Sequence, residues 1–202
     1  MLGTSLCLCI ATREITLTSF TTILNEHQAV IQNLQKQKSA IETAGALITD
    51  TFKNGNKILL CGNGGSASDC QHLATEFMVR YVNQRRPLPA IALTTDTSIL
   101  TAHTNDFGFE RVFSRQIEAL GNSGDCLIAL STSGNSKNII EAVKMAQHKD
   151  MNVVILTGKT GGKLADFKQN IITVPSNITA RIQEAHIIIG HWWCQLADEN
   201  FS

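Results

Sequence analysis

The stretch Lys57-Ile-Leu-Leu-Cys-Gly-Asn-Gly-Gly-Ser-Ala-Ser-Asp-Cys-Gln-His-Leu-Ala-Thr-Glu76 decides the fold of this chain. Residues 57–61 spell a short buried strand, residues 62–65 a glycine loop, and Ser66 opens a helix. A loop of this kind presents backbone N–H groups beside the partial positive charge of a helix N-terminus. An anion fits there, most often a phosphate. His72 and Glu76 stand four residues apart in the same helix, so their side chains share one face. Alone, His72 would read as a packed or surface histidine and Glu76 as a solvated carboxyl. Their pairing below an anion loop points instead to chemistry on a phosphorylated small molecule.

Composition narrows the partners. The chain has 202 residues, enough for one domain with a substantial core. Its 17 basic and 17 acidic residues cancel to a formal net charge of zero, which removes the electrostatic motive for binding nucleic acid. The six cysteines show no paired metal-finger spacing, and Cys61 and Cys126 lie in apolar runs that predict buried, reduced thiols. A cytoplasmic setting follows from that usage. No run approaches the ~20 apolar residues of a bilayer span, so no membrane partner is expected. Residues 1–12 are apolar and uncharged but lack the basic start of a signal segment. Residues 1–17 are read as a poorly ordered extension, and 18–202 as a single domain.

Outward from the opening stretch, the pattern is helical over 18–53 and then alternates. The spacing predicts strands at 57–61, 90–93, 125–130, 152–156 and 171–174, and helices at 66–82, 108–120, 136–148 and 179–199. Short apolar strands separated by helices imply a three-layer α/β fold, a five-stranded parallel sheet covered on both faces. In such sheets ligands lie beyond the carboxyl ends of the strands. The loops after Cys61, Leu93 and Leu130 should therefore converge. The polar stretch 25–39 suits a helix that faces a partner.

The second such loop is Ser131-Thr-Ser-Gly-Asn-Ser136. Its hydroxyls and N–H groups could surround a phosphate without a lysine. Ser136 taken singly reads as an ordinary helix N-cap, whereas the whole run beside the glycine loop favours a sugar phosphate.

These motifs together resemble the sugar isomerase (SIS) domain and, more narrowly, the bacterial sedoheptulose 7-phosphate isomerases. The resemblance rests on Cys61-Gly-Asn-Gly-Gly-Ser66, Asp69-Cys-Gln-His-Leu-Ala-Thr-Glu76, Asn105-Asp-Phe-Gly-Phe109, Ser131 to Ser136, Leu156-Thr-Gly158, and Arg181-Ile-Gln-Glu-Ala-His186 with His191. It implies a flavodoxin-like fold with a long N-terminal helix used for oligomerisation into a homotetramer. It implies conversion of sedoheptulose 7-phosphate to glycero-manno-heptose 7-phosphate, supplying heptose for lipopolysaccharide. Zinc would be held by His72, Glu76, Gln183 and His191, with acid–base roles for Glu76 and His191. Substrate contacts would fall to Asn63, Gly64, Gly65, Ser66, Glu76, Asn105, Asp106, Ser131, Thr132, Ser133, Ser136 and Gln183. Ala180 departs from the family, where some relatives carry an aspartate. The rival reading is a non-catalytic sugar-phosphate sensor or adaptor regulating replication initiation; Glu76, expected to be absent from such proteins, favours the enzyme.

Gln183 and His191 raise a geometric problem. Eight residues apart, they lie ~12 Å apart along a straight helix on faces ~80° apart. Either both side chains reach to their limit, or the two come from different copies of the chain. The second arrangement is favoured, so the site is expected at a subunit interface. His186, near Gln183, reads as a packing residue.

Overall fold

Apolar runs too short for a helix and bounded by glycine or asparagine become strands, and five of them form the sheet. A computed structural model describes residues 18–167 and 170–202. The strands are β1 (Ile58–Cys61), β2 (Ala90–Ala92), β3 (Cys126–Ser131), β4 (Asn152–Gly158) and β5 (Asn170–Val174). All pairings are parallel, in the order β2-β1-β3-β4-β5. Leu60 pairs with Ile128 and Ile128 with Val154, so alternate residues align across the sheet. The expected α/β sheet is therefore present. Residues 1–17, read as an extension, lie outside the described residues.

Among the described residues seven α-helices cover the sheet: α1 (Phe20–Leu34), α2 (Lys38–Lys53), α3 (Gly65–Met78), α4 (Thr97–Phe107), α5 (Val112–Leu120), α6 (Lys137–His148) and α7 (Thr179–Phe201). On one face, Ile58, Leu60, Ile128 and Leu156 pack under α1, α2, α3 and α7. On the other, Leu59, Leu127, Val153 and Ile155 pack under α5 and α6. Every residue of β1 and β3 is buried, as a central parallel strand requires. The N-terminal helical span begins at a Ser19 cap, whose Oγ accepts the Thr22 N–H at 3.1 Å. It runs to Lys53 with one 3-10 turn at Gln35–Gln37, inside the polar stretch.

Two boundaries differ from expectation. The helix expected over 66–82 ends at Met78, and the chain then leaves as a strap, residues 79–89, running to β2. Gly108, expected to start a helix, instead ends α4: its φ of 81° is left-handed and its N–H bonds the Thr104 carbonyl at 3.1 Å. Helix α4 itself, capped by Asp96, has no buried residue and hence no apolar stripe to announce it.

In this strand order the chain reverses direction across the sheet between β1 and β3. Such a switch point opens a crevice between the loops that leave the two strands.

Candidate active site

At the switch point the glycine loop and the serine loop are tied together. Asn63, after β1, and Asn138, in the first turn of α6, exchange amide hydrogen bonds of 2.9 and 2.8 Å. Gly64 adopts a left-handed φ of 57°. At Gly65 the missing Cβ leaves room for the Gln183 amide, which α7 lays against the start of α3. Ser66 is buried, and its N–H returns to the Asn63 carbonyl at 3.1 Å. Beside this loop lies a cavity of about 130 Å³, walled by Gly64, Ala67, Leu100 and Phe109 among others.

The serine loop is built to hold its shape. Asn135 Oδ1 accepts the Lys163 N–H at 3.1 Å, and the Gly134 carbonyl accepts that of Leu164 at 3.0 Å. Gly134, at φ 65°, packs so closely on the backbone of Gly161 that no Cβ fits. Ser131 Oγ donates to Ser136 Oγ at 3.1 Å. Ser136 occupies the N-cap position of α6 but makes no side-chain capping bond. The ordinary-cap reading of Ser136 is therefore corrected: its hydroxyl faces Ser131, and the first turn of α6 has no side-chain acceptor from it. Thr132 and Ser133 are partly buried, and Ser133 Oγ accepts the Asn135 N–H. The loop thus lines a helix N-terminus with hydroxyls, an arrangement suited to a phosphate.

The titratable cluster forms where α3 and α7 run side by side. Gln183 lies against Gly65 and Gly190 against Leu73, so the two helices keep step. In that register His191 Nε2 stands 3.3 Å from His72 Nε2, and His72 Nε2 stands 3.2 Å from Glu76 Oε1. The His72 and His191 rings meet edge-on with centroids 4.9 Å apart. Tyr81, from the strap, covers His191 at 5.3 Å between centroids. Burial, and then the nearby charge of His72, lower the His191 pKa below its ordinary value, with Glu76 opposing them. Two imidazole nitrogens this close can form a hydrogen bond only if one of them lacks its proton.

Histidine and carboxyl donors are zinc chemistry, and a tetrahedral zinc with Zn–N near 2.05 Å separates two nitrogens by about 3.3 Å. The two Nε2 atoms stand at that spacing. Among the described residues no three His, Cys, Asp or Glu side chains form a closed metal-holding group. An ion here would need Glu76, or a donor from elsewhere, to move in. Gln183 stands at the other end of the α3 stretch, by the glycine loop rather than by His191.

Asn105 and Asp106 sit exposed in the last turn of α4, bonded to each other at 2.8 Å and to neither phosphate loop. Sequence reasoning missed Asn138 and Tyr81. The first lies two residues past the quoted loop; the second was hidden by running the helix on to residue 82. His186 is fully buried and bonded to the Thr157 carbonyl at 3.1 Å, a packing position.

Comparison with known proteins follows the same line. The SIS domain family profile matches residues 23–158. The phosphoheptose isomerase of Campylobacter concisus is 52% identical over 178 residues, covering 88% of this chain and 94% of that protein. That of Aliarcobacter butzleri is 50% identical over 179 residues, covering 89% and 95%. The solved phosphoheptose isomerase from Neisseria gonorrhoeae superposes with a TM-score of 0.84 at 46% identity, covering 89% of this chain and 96% of that one. A second, from Francisella tularensis, gives 0.83 at 37% identity, covering 91% and 100%.

Proposed function

This chain belongs to the SIS domain family, as one of its phosphoheptose isomerases, and from that premise we propose how its residues perform the reaction. The enzyme is an aldose–ketose isomerase that interconverts D-sedoheptulose 7-phosphate and D-glycero-D-manno-heptose 7-phosphate. The observation that carries the assignment of roles is the meeting of His191 with the His72–Glu76 pair.

The ketose carries its carbonyl at C2. A base takes a proton from C1, the C2 oxygen gains one, and an enediol forms. A proton then arrives at C2 while the C1 oxygen gives one up, leaving the aldehyde. One group must serve the carbons and another the oxygens. Glu76 and His191 divide that work. His191, held below its ordinary pKa, is neutral at pH 7 and can accept or donate at oxygen. The serine loop, with Ser131, Thr132, Ser133 and Ser136, holds the phosphate; Asn63, Gly64, Gly65, Ser66 and Gln183 face the sugar. Remote phosphate binding then contributes to lowering the barrier at the reacting carbons. Asn105 and Asp106, exposed at the end of α4, are assigned to the remaining substrate contacts.

Zinc, held by His72, Glu76 and His191 with Gln183, would supply a Lewis acid beside the carbonyl. The donor chemistry and the spacing of the two histidine nitrogens support this reading. Incubation with sedoheptulose 7-phosphate, followed by NMR with and without a chelator, tests both claims. Heptose 7-phosphate should form, and the chelator should slow it. Full activity in chelator removes the metal; no conversion in either arm returns the chain to the sensor reading.

The placement of Gln183 by Gly65, away from His191 in one protomer, supports self-association, because a second copy can bring its own donor. An apolar groove of about 410 Å³ between α1, α2 and α7, lined by Ile31, Leu34, Ile41, Ile188 and Trp192, is the surface we assign to another copy. Light scattering should give a homotetramer, a mass near four times 22.0 kDa. A concentration-independent monomer would remove this surface from the site. A cytoplasmic location fits four free, buried thiols at Cys61, Cys70, Cys126 and Cys194, and no described helix is long and apolar enough to cross a membrane. The product would feed heptose for lipopolysaccharide.

A further inference from the structure

The strap between α3 and β2 hides a fully buried ion pair. The side chains of Arg85, in the strap, and Asp198, near the end of α7, are 0% and 1% exposed. Arg85 Nε donates to Asp198 Oδ1 at 2.8 Å. Its Nη2 donates to the Glu76 carbonyl at 2.7 Å, and its Nη1 to the Phe77 carbonyl at 2.8 Å. The other Asp198 oxygen accepts the Val82 and Asn83 N–H groups, each at 2.7 Å. Burial alone would push the Asp198 carboxyl up; the N–H bonds from Asn83 and Val82 and the Arg85 guanidinium outweigh it and hold it below its ordinary pKa.

Such a pair is a poor way to gain stability, since desolvating both charges offsets most of their attraction. Its geometry suggests another use. The Glu76 and Phe77 carbonyls belong to the last turn of α3, where carbonyls lack helical partners and a cation is favoured. Asp198 follows His191 by seven residues, two turns on, and so lies on the same face of α7. One guanidinium therefore grips the main chain of Glu76 and, through Asp198, the helix that carries His191. The same carboxyl pins Val82 and Asn83, which seats Tyr81 over the His191 ring.

We infer that Arg85 and Asp198 are positioning residues that lock α3 and α7 in register, setting the distance between the His72–Glu76 pair and His191 for isomerisation. The inference rests on the catalytic reading above. Lysine at position 85 would keep the charge but lose the planar fork that serves Asp198 and two carbonyls at once.

The test compares Arg85→Lys and Asp198→Asn with Ile117→Val, a core change in α5 on the opposite face of the sheet. Thermal midpoint, kcat and KM are measured for each against the wild type. Misplacing reacting groups by a fraction of an ångström should cost kcat about 10- to 100-fold in both clamp variants. KM should stay within about threefold, because the phosphate loop is untouched. Ile117→Val should lose stability without losing kcat. Unchanged kcat in a folded Arg85→Lys, or equal losses in all three at matched stability, would overturn the clamp while leaving the isomerase intact. An inactive wild type would overturn the catalytic reading and the clamp with it. Should Asp198→Asn not fold, Arg85→Lys decides alone.

Discussion

Glu76→Gln is expected to lower turnover of sedoheptulose 7-phosphate by about 10²- to 10⁴-fold, the usual worth of a positioned acid or base, while the substrate still binds. Glutamine keeps the shape of the side chain and can still face His72, now 3.2 Å from Glu76 Oε1. What disappears is an oxygen able to take up a proton. The main-chain carbonyl of residue 76, gripped by Arg85, is the same in both proteins, so the backbone has no reason to shift. A fall in kcat with binding retained, measured by calorimetry, is the signature of an interaction used in the transition state. Near-normal turnover would remove Glu76 from the mechanism.

The variant also addresses a tension in the donor set. A carboxyl committed to a metal is a weakened base, and Glu76 has been given both tasks. In the structure it reaches His72, and among the described residues no three His, Cys, Asp or Glu side chains form a metal-holding group. That geometry favours a Glu76 free to serve the substrate, while His72 and His191 are the residues that would hold a metal. Measuring zinc content of Glu76→Gln separates the tasks: retained zinc with lost turnover assigns Glu76 to proton transfer.

The sheet was legible because its signals are local. Each strand is a short apolar run bounded by glycine or polar residues, and alternation with helices leaves few topologies. Helix α4 was not legible, because an exposed helix has no buried stripe, and Gly108 can mark either the start of one element or the end of another. The site divides the same way. His72 and Glu76 are one turn apart and could be paired from spacing alone. His191 lies 119 residues from His72; nothing in its neighbourhood points there, and it entered through resemblance to a family. Arg85 and Asp198, 113 residues apart, left no local trace at all. A buried pair of opposite charges is invisible in a sequence whose charges balance overall.

The second large effect is one of acid on stability, and it centres on His186. The side chain is fully buried under the sheet. Its Nε2 donates to the Thr157 carbonyl, and its buried Nδ1 has no partner among the described residues. A proton added there would place an uncompensated charge in the core, so burial lowers the pKa to about 4, with the Thr157 bond opposing. In the unfolded chain the same histidine titrates near about 6.5. Between those values the unfolded state binds a proton that the folded state refuses, so stability falls as the pH drops. Above about pH 7 both states are neutral and the group contributes no slope. Across the whole window the loss amounts to about 3 kcal/mol. Urea denaturation of the wild type at pH 7.5 and pH 5.0 should show about 2 kcal/mol of this. In His186→Gln, which can still donate to Thr157, that share of the slope should vanish. An NMR titration of the wild-type imidazole provides the second measurement, needed if the variant does not fold. Parallel stability curves for wild type and variant, or an imidazole titrating near its ordinary value, would show that the core admits the charge and that another group sets the acid limit of this enzyme.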